Sequence, residues 1–457
     1  MALVFLVQLG SLAASLIAWY YPTPRPSAPK SGPDVFALPR SEEGATVPLV
    51  YGTVRVRSPL VVEVGDAHPF ERLSDGVVVG TGYEVGIRMI LCCGNAAEDA
   101  TTGGATLVGL FAGDKRIDGI DASGYTPGTG CTAWNVYDSS IFADSPGMGS
   151  GALGTAFLYS GRWDQTVSND DVIDDWEATQ IGLGTDLRTP YRGYVVLSLR
   201  GTSVAGWRTD GPNLPAYQPV IYNPVTIPGY ESTTGAIGGA GGGDANPAAV
   251  LYDLLTNHWG RLGFPEAEVD AASFAAAAAT LATEGHGISL YLTDAQSARD
   301  AVGDILKQID AVIYEEPTTG TLSLRLIRDD YVTGDLFVAN SSTMIGIELH
   351  AATWAAAPTS VIVNFTDASK GWIQGSELAH NPAALSAGGD MHRPATYEFR
   401  GVTSRRLAAE IAARELALVS VPLLRATITL TAAAYALRPG DAIRVVYAPW
   451  GIDTVMR

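Results

Sequence analysis

The chain has 457 residues, enough for about two to four domains that each bury a core. Hydrophobic residues make up 47% and charged residues 17%, which excludes disorder on the scale of the whole chain. A formal net charge of −19, with a pI near 4.6, argues against the clustered Lys and Arg that stable nucleic-acid binding needs.

Solubility alone accounts for such a charge; if the protein lines a passage for DNA, an acidic wall would also repel the phosphates and let the duplex slide. The 51 Gly and 26 Pro, set between short β-branched runs, favour many turns and strands over a helical bundle. Cys92, Cys93 and Cys131 match neither a metal spacing nor a disulfide framework and read as buried, reduced thiols.

Residues 2–21 are apolar and carry no charge, a length that reaches across a bilayer as a helix. A signal peptide needs a basic segment first, yet the first charged side chain is Arg25, after the run. A membrane anchor is diluted by Gln8, Gly10, Ser11 and Ser15, which form a small-residue face suited to helix–helix contact. The run is expected to be an apolar N-terminal helix, with two readings left open: a membrane anchor, or a helix buried in an assembly with Leu3, Phe5, Leu9, Leu12 and Leu16 as its contact residues. Each such side chain is worth roughly 1.5–3 kcal/mol when buried, so the run needs a partner. Residues 22–40 form a linker made stiff by prolines.

A first β-rich region is expected over 41–226. It opens on Pro48-Leu49-Val50-Tyr51-Gly52-Thr53-Val54-Arg55-Val56, whose alternation predicts a half-buried strand. Further strands are expected at 86–91, 106–111, 156–159 and 194–199, the last led by Tyr191-Arg192-Gly193, while 112–150 reads as long surface loops. Gly149-Ser150-Gly151-Ala152-Leu153-Gly154 spells a dinucleotide fingerprint, but no hydrophobic strand precedes it and no helix follows, so it reads as a flexible loop. No nucleophile elbow appears, and the six histidines show no metal-ligand spacing. Asp170, Asp171, Asp174 and Asp175 lack the glycine and closing glutamate of a calcium loop and read as a solvated acidic face. No cofactor or metal is expected.

Residues 227–245 are rich in glycine and read as a flexible linker. An α+β domain follows over 246–330. Asn246 caps its first helix, Pro247 fills the first turn, and Leu251, Leu254, Leu255 and Trp259 form one face before Gly260 and Gly263 turn the chain. Helices are expected at 271–282 and at 294–310, where Thr293 and Gln296 form a capping box. A hairpin is expected about Pro317-Thr318-Thr319-Gly320. Residues 331–457 return to strands as a second β-rich domain, with a helix at 404–419 and a tight turn at Arg438-Pro439-Gly440-Asp441.

Several of these motifs, in this order, resemble the tail-tip hub proteins of long non-contractile-tailed phages (the J-type or host-specificity family) and of gene transfer agents. The residues concerned are Pro48, Tyr51, Gly52 and Arg55; Tyr191, Arg192 and Gly193; Asn246, Pro247, Leu251, Leu254, Leu255, Gly260 and Gly263; and Pro439, Gly440 and Asp441. The resemblance implies a mainly β fold with an α+β domain, built of small β-barrel-like domains related to contractile-tail baseplate hubs. It also implies a homotrimer that closes the distal end of the tail tube. The implied partners are a ring of distal tail protein, the tape-measure protein and receptor-binding or fibre proteins, with membrane contact only transiently at infection. No catalytic residue is implied. The enzymatic alternative is a membrane-anchored or secreted cell-wall hydrolase using paired carboxylates such as Glu315 and Glu316. Adjacent residues on a strand leave opposite faces, which argues against that pair.

Overall fold

Strand β1 (Leu49–Arg55) is buried on both faces, and this differs from the half-buried strand its alternation predicts. Val50 and Val54 enter one core, joined by Val56 just beyond the strand, while Tyr51 enters a second. Thr53 and Arg55 bond to chain segments far away in sequence. Successive side chains leave opposite faces of a strand, and here other parts of the chain cover the face that the sequence pattern assigns to water.

The computed structural model describes residues 46–74, 77–95, 104–122, 130–138, 141, 152–165, 191–203, 216–228, 230, 237, 243–258, 261–292, 298–351, 353–354, 357–387 and 391–457. The N-terminal run with Leu3, Phe5, Leu9, Leu12 and Leu16, the proline-rich linker, Gly260, the capping box at Thr293 and the acidic run at Asp170 lie outside these residues. Among the described residues the fold is mainly β, and no helix is long and apolar enough to cross a membrane.

Strand β1 is followed by β2 (Leu60–Ser74), β3 (Val77–Cys93), β4 (Thr106–Ala112), β5 (Lys115–Ile117), β6 (Gly119–Ala122), β7 (Cys131–Tyr137), β8 (Ala152–Ser160), β9 (Tyr194–Ser203) and β10 (Tyr217–Asn223). The stretch 112–150, expected as loops, thus contributes β5, β6 and β7. In β7, Cys131, Ala133 and Val136 are buried between exposed or half-buried neighbours, but glycine and aspartate between the strands hide the pattern. Ala152, Leu153 and Gly154, expected in a loop, open β8, and Leu153 is fully buried. Strands β2, β3, β9, β8, β7 and β6 form an antiparallel sheet in that order. Met89, Leu91, Leu158 and Leu197 of this sheet share a core with Val50, Val54, Leu110 and Ile221 of the sheet that holds β1. The three cysteines are free and buried.

Helix α1 (Pro247–Thr256) begins as the sequence predicts: Asn246 Oδ1 accepts the Ala248 N–H at 3.0 Å, and Pro247 occupies the first turn. The Asn246 amide also donates to the Ala278 carbonyl of α2 (Ala271–Glu284) at 2.8 Å, so the cap fastens two helices. Strand β11 (Leu290–Leu292) then returns to pair with β1, giving the sheet order β11-β1-β10-β4-β5. Helix α3 (Ala298–Ile309) and the hairpin β12 (Ala311–Glu315) and β13 (Leu322–Leu326) complete an α+β unit. Its core holds Leu251, Leu254, Phe274, Leu281, Ile305 and Leu324, with Tyr51 inserted from β1. The described residues of the glycine-rich stretch are anchored here: Ile237 and Asp244 pair with each other, and Ala245 pairs with Ile288.

In the remainder, β14 (Phe337–Ala339) precedes a two-stranded ribbon of β15 (Met344–Ala351) and β19 (Leu424–Leu430). Between the ribbon strands are inserted β16 (Ser360–Asp367), β17 (Ile373–His380), helix α4 (Pro382–Ala387), β18 (Pro394–Glu398) and helix α5 (Arg405–Val419). Leu407, Ala408 and Ile411 of α5 pack on Val361, Val363 and Phe365 of the β17-β16-β18 sheet. Strands β20 (Ile443–Tyr447) and β21 (Ile452–Met456) complete a sheet with β14.

Candidate functional site

The outward positions of β1 build three polar junctions in succession. At the first, Tyr51 Oη donates to Asp253 Oδ2 of α1 at 2.7 Å. Arg261, just beyond the same helix, donates through Nε to Tyr51 Oη at 3.0 Å and pairs with Asp253 Oδ2 at 2.6 Å. The other end of the guanidinium reaches Asn95 Oδ1, and the Asn95 amide donates to the Val50 carbonyl at 2.8 Å. Asn257 donates to the second Asp253 oxygen at 3.1 Å. The Arg261 side chain is fully buried and that of Asp253 is 8% exposed. Burial, reinforced by Asp253, pushes the Tyr51 phenol well above its ordinary range, so it acts as a neutral donor. Two motifs two hundred residues apart in the sequence thus meet as one buried clasp.

At the second junction Gly52 adopts φ +71°, and an added Cβ would lie 2.5 Å from Ser289 Oγ and 2.7 Å from the Ile288 carbonyl. That close approach lets Thr53 N–H donate to Ser289 Oγ at 3.0 Å and Thr53 Oγ1 to the Gly243 carbonyl at 2.6 Å. Ser289 in turn donates to Asp244 Oδ1 at 2.6 Å, and Thr403 donates to both Asp244 oxygens at 2.8 and 2.9 Å. Burial pushes the Asp244 carboxyl above the usual carboxylate range, against the two hydroxyls, which favour the anion. The first sheet, the α+β unit and the C-terminal part meet at this carboxyl.

At the third junction Arg55 bonds Gln218 Oε1 at 2.8 Å, the Gly371 carbonyl at 3.0 Å and the Gly113 carbonyl at 2.9 Å, with its guanidinium 3.9 Å from the Phe111 ring centre. Trp372 closes the gap by donating through Nε1 to the Thr53 carbonyl at 3.2 Å, and Arg57 reaches the Trp372 carbonyl. Beside it lies an open cleft of about 680 Å³ lined by Arg57, Tyr291, Asn364, Gln374, Glu398 and Arg400.

The other residues singled out by sequence lie apart from these junctions. Pro48 accepts the Cys93 N–H at 3.0 Å. In the turn Tyr191-Arg192-Gly193, Gly193 has φ +77° under the Trp163 ring, and buried Gln165 donates to the Tyr191 carbonyl at 2.7 Å. Leu251, Leu254 and Leu255 are core residues of α1, and Gly263 turns the chain at φ +70°. Pro439, Gly440 and Asp441 form a tight turn with Gly440 at φ +84°, closed by Asp441 N–H to the Arg438 carbonyl at 3.0 Å. Arg438 also binds both oxygens of Glu316, at 2.9 and 2.6 Å, and holds its carboxyl down to about 2. A carboxyl held so low is neither a proton donor nor a base near neutral pH, so Glu316 serves as a turn anchor.

The geometry connects parts of the chain; every polar group named at the three junctions is engaged with another. Among the described residues, no group of three or more His, Cys, Asp and Glu is placed to hold a metal. Sequence reasoning missed Asp253, Arg261, Asn95, Asp244, Ser289, Thr403 and Trp372. A signal was available for Asp253 alone, the one charge within the apolar helix α1. The rest read as ordinary polar residues until their partners are known.

Comparison with known proteins adds the following. Residues 297–457 match the model of a family described as putative phage tail protein. Among solved structures, the chain is similar to a chain in the virion of a native gene transfer agent particle. They share 14% identity over 92% of this chain and 82% of that chain, with a TM-score of 0.53, a likeness of fold. A second similar structure, the 43 kDa tail protein of prophage MuSo2 from Shewanella oneidensis, shares 10% identity over 90% of each chain with a TM-score of 0.26. No curated protein matches the chain. The family match points to a phage tail protein over residues 297–457, the virion likeness is one of fold, and neither supports a cell-wall hydrolase.

Proposed function

We propose that this chain is the hub at the tip of a phage-like tail, closing the distal end of the tail tube and opening for DNA release. The observation that carries the reading is the coincidence of the tail-protein match over residues 297–457 with a virion-protein fold across most of the chain. The junctions along β1 support it, because a plug that must hold until triggered needs its parts tied together. Buried polar braces fix mutual orientation more specifically than apolar contact does. In this reading three copies sit on a ring of distal tail protein, since closed cyclic assemblies join such rings to a narrow tip. The acidic charge lets DNA pass without binding. The N-terminal run, with Leu3, Phe5, Leu9, Leu12 and Leu16, lies uncleaved on the axis against its copies or the tape-measure protein, and fibre proteins attach outside. Assembly takes place in the host cytoplasm.

Electron cryo-microscopy of intact tails carrying a tag on this chain tests the proposal. Three copies at the distal tip are expected. Copies along the shaft, at the head-proximal end, or in sixfold number at the tip would overturn it.

A further inference from the structure

The ribbon of β15 and β19 has two unlike faces. Directly paired residues share a face of an antiparallel pair. One face carries Met344 opposite Leu430, Ile347 opposite Ile428 and Leu349 opposite Ala426; the other carries Glu348 opposite Thr427 and His350 opposite Arg425. Leu430, Ile428 and Ala426 open onto a groove of about 720 Å³, whose other walls include Leu418 at the end of α5, Val421 and Leu423 beyond it, and Ile443 and Met456 of the C-terminal sheet. Leu418, Val421, Leu423 and Leu424 are 40–50% exposed, a concentration of apolar surface that an isolated soluble chain normally covers.

We propose that in the unassembled protein this groove is occupied by the chain's own apolar run, residues 2–21. The run carries no charge, so it brings no ion of its own to a groove whose walls also hold Arg425, Asp441 and Arg457, and it is the longest uncharged apolar stretch in the sequence. Residues 22–45, which join it to the described chain, span up to about 70 Å when extended. A domain assembly of this length is roughly 60 Å across, so the groove is within reach. Tethering also favours this occupant over a second copy. A link whose reach matches the span gives an effective concentration of about 1 mM, so an intrinsic affinity of only about 100 μM leaves the docked form roughly tenfold in excess. The groove thereby shields the run until assembly offers it the axial position. That later position rests on the proposed function; the docking itself is a property of the isolated chain.

Cross-linking of the purified full chain tests the docking. Leu9→Cys combined with Leu424→Cys should form a disulfide within one chain on mild oxidation, while Leu9→Cys with Tyr137→Cys on the six-stranded sheet should not; the native cysteines are buried. A link between two chains, a link no faster than the Tyr137 control, or no link would overturn the proposal. Independently, deleting residues 2–21 should speed hydrogen exchange in residues 421–430 roughly tenfold without lowering the melting temperature of the β units. Unchanged exchange would also overturn it. Mislocalisation in tails would count against the hub reading and leave these results untouched.

Discussion

Replacing Arg261 by methionine keeps the packing of the arginine stem and removes its charge, leaving Asp253 in place. The magnitude follows from burial: the arginine side chain is fully buried and the aspartate 8% exposed, so water cannot replace the lost partner. Breaking a buried pair from one side costs about 3–5 kcal/mol. Tyr51 and Asn257 still donate to the carboxylate, which places Arg261→Met near the lower end of that range. Tyr51→Phe removes one hydrogen bond to a charged group and should cost about 1.5–3 kcal/mol. Replacing both charges, Asp253→Leu with Arg261→Met, removes the stranded ion and should recover about 2 kcal/mol of the single-variant loss. Urea unfolding followed by tryptophan fluorescence measures all three, and Asp253→Leu alone completes a double-mutant cycle on the pair. If Arg261→Met lies within about 0.5 kcal/mol of the unmodified chain, or the double variant is less stable than Arg261→Met alone, the clasp is not an energetic brace.

Gly52→Ala should destabilise by about 3 kcal/mol, because φ of +71° is strained for alanine and its Cβ meets Ser289, Ile288 and Ala245 within 3 Å; an unchanged melting temperature would contradict this. His286 is buried with Nε2 unpartnered, and burial first, then Arg414, depresses its pKa to about 4. The unfolded chain binds that proton near pH 6.5, so the stability from the neutral ring is complete above about 6.5 and is lost as pH falls towards 4, by about 3 kcal/mol. In His286→Gln this part of the urea-midpoint decline between pH 7 and 4.5 should disappear, and an identical decline in both proteins would refute it.

The sequence alone determined what depends on neighbours along the chain. The Asn246 cap, the Arg438-Pro439-Gly440-Asp441 turn and the helix at 404–419 were legible because capping, turn conformation and helical periodicity are local. The run Tyr51-Gly52-Thr53-Val54-Arg55 was recognisable as a motif, yet its residues looked like the solvent face of an ordinary strand. Only the tertiary structure showed that Tyr51 meets Asp253 and Arg261, that Thr53 meets Ser289, and that Arg55 meets Gly371. The three strands within 112–150 were hidden for the same reason, since β5 and β6 are only three and four residues long and all three are held by pairing, β5 with β4, β6 with β7 and β7 with β8. Local preference sets where an element starts and stops. Which polar side chains become buried partners depends on contacts two to three hundred residues apart, and a periodic pattern carries no record of them.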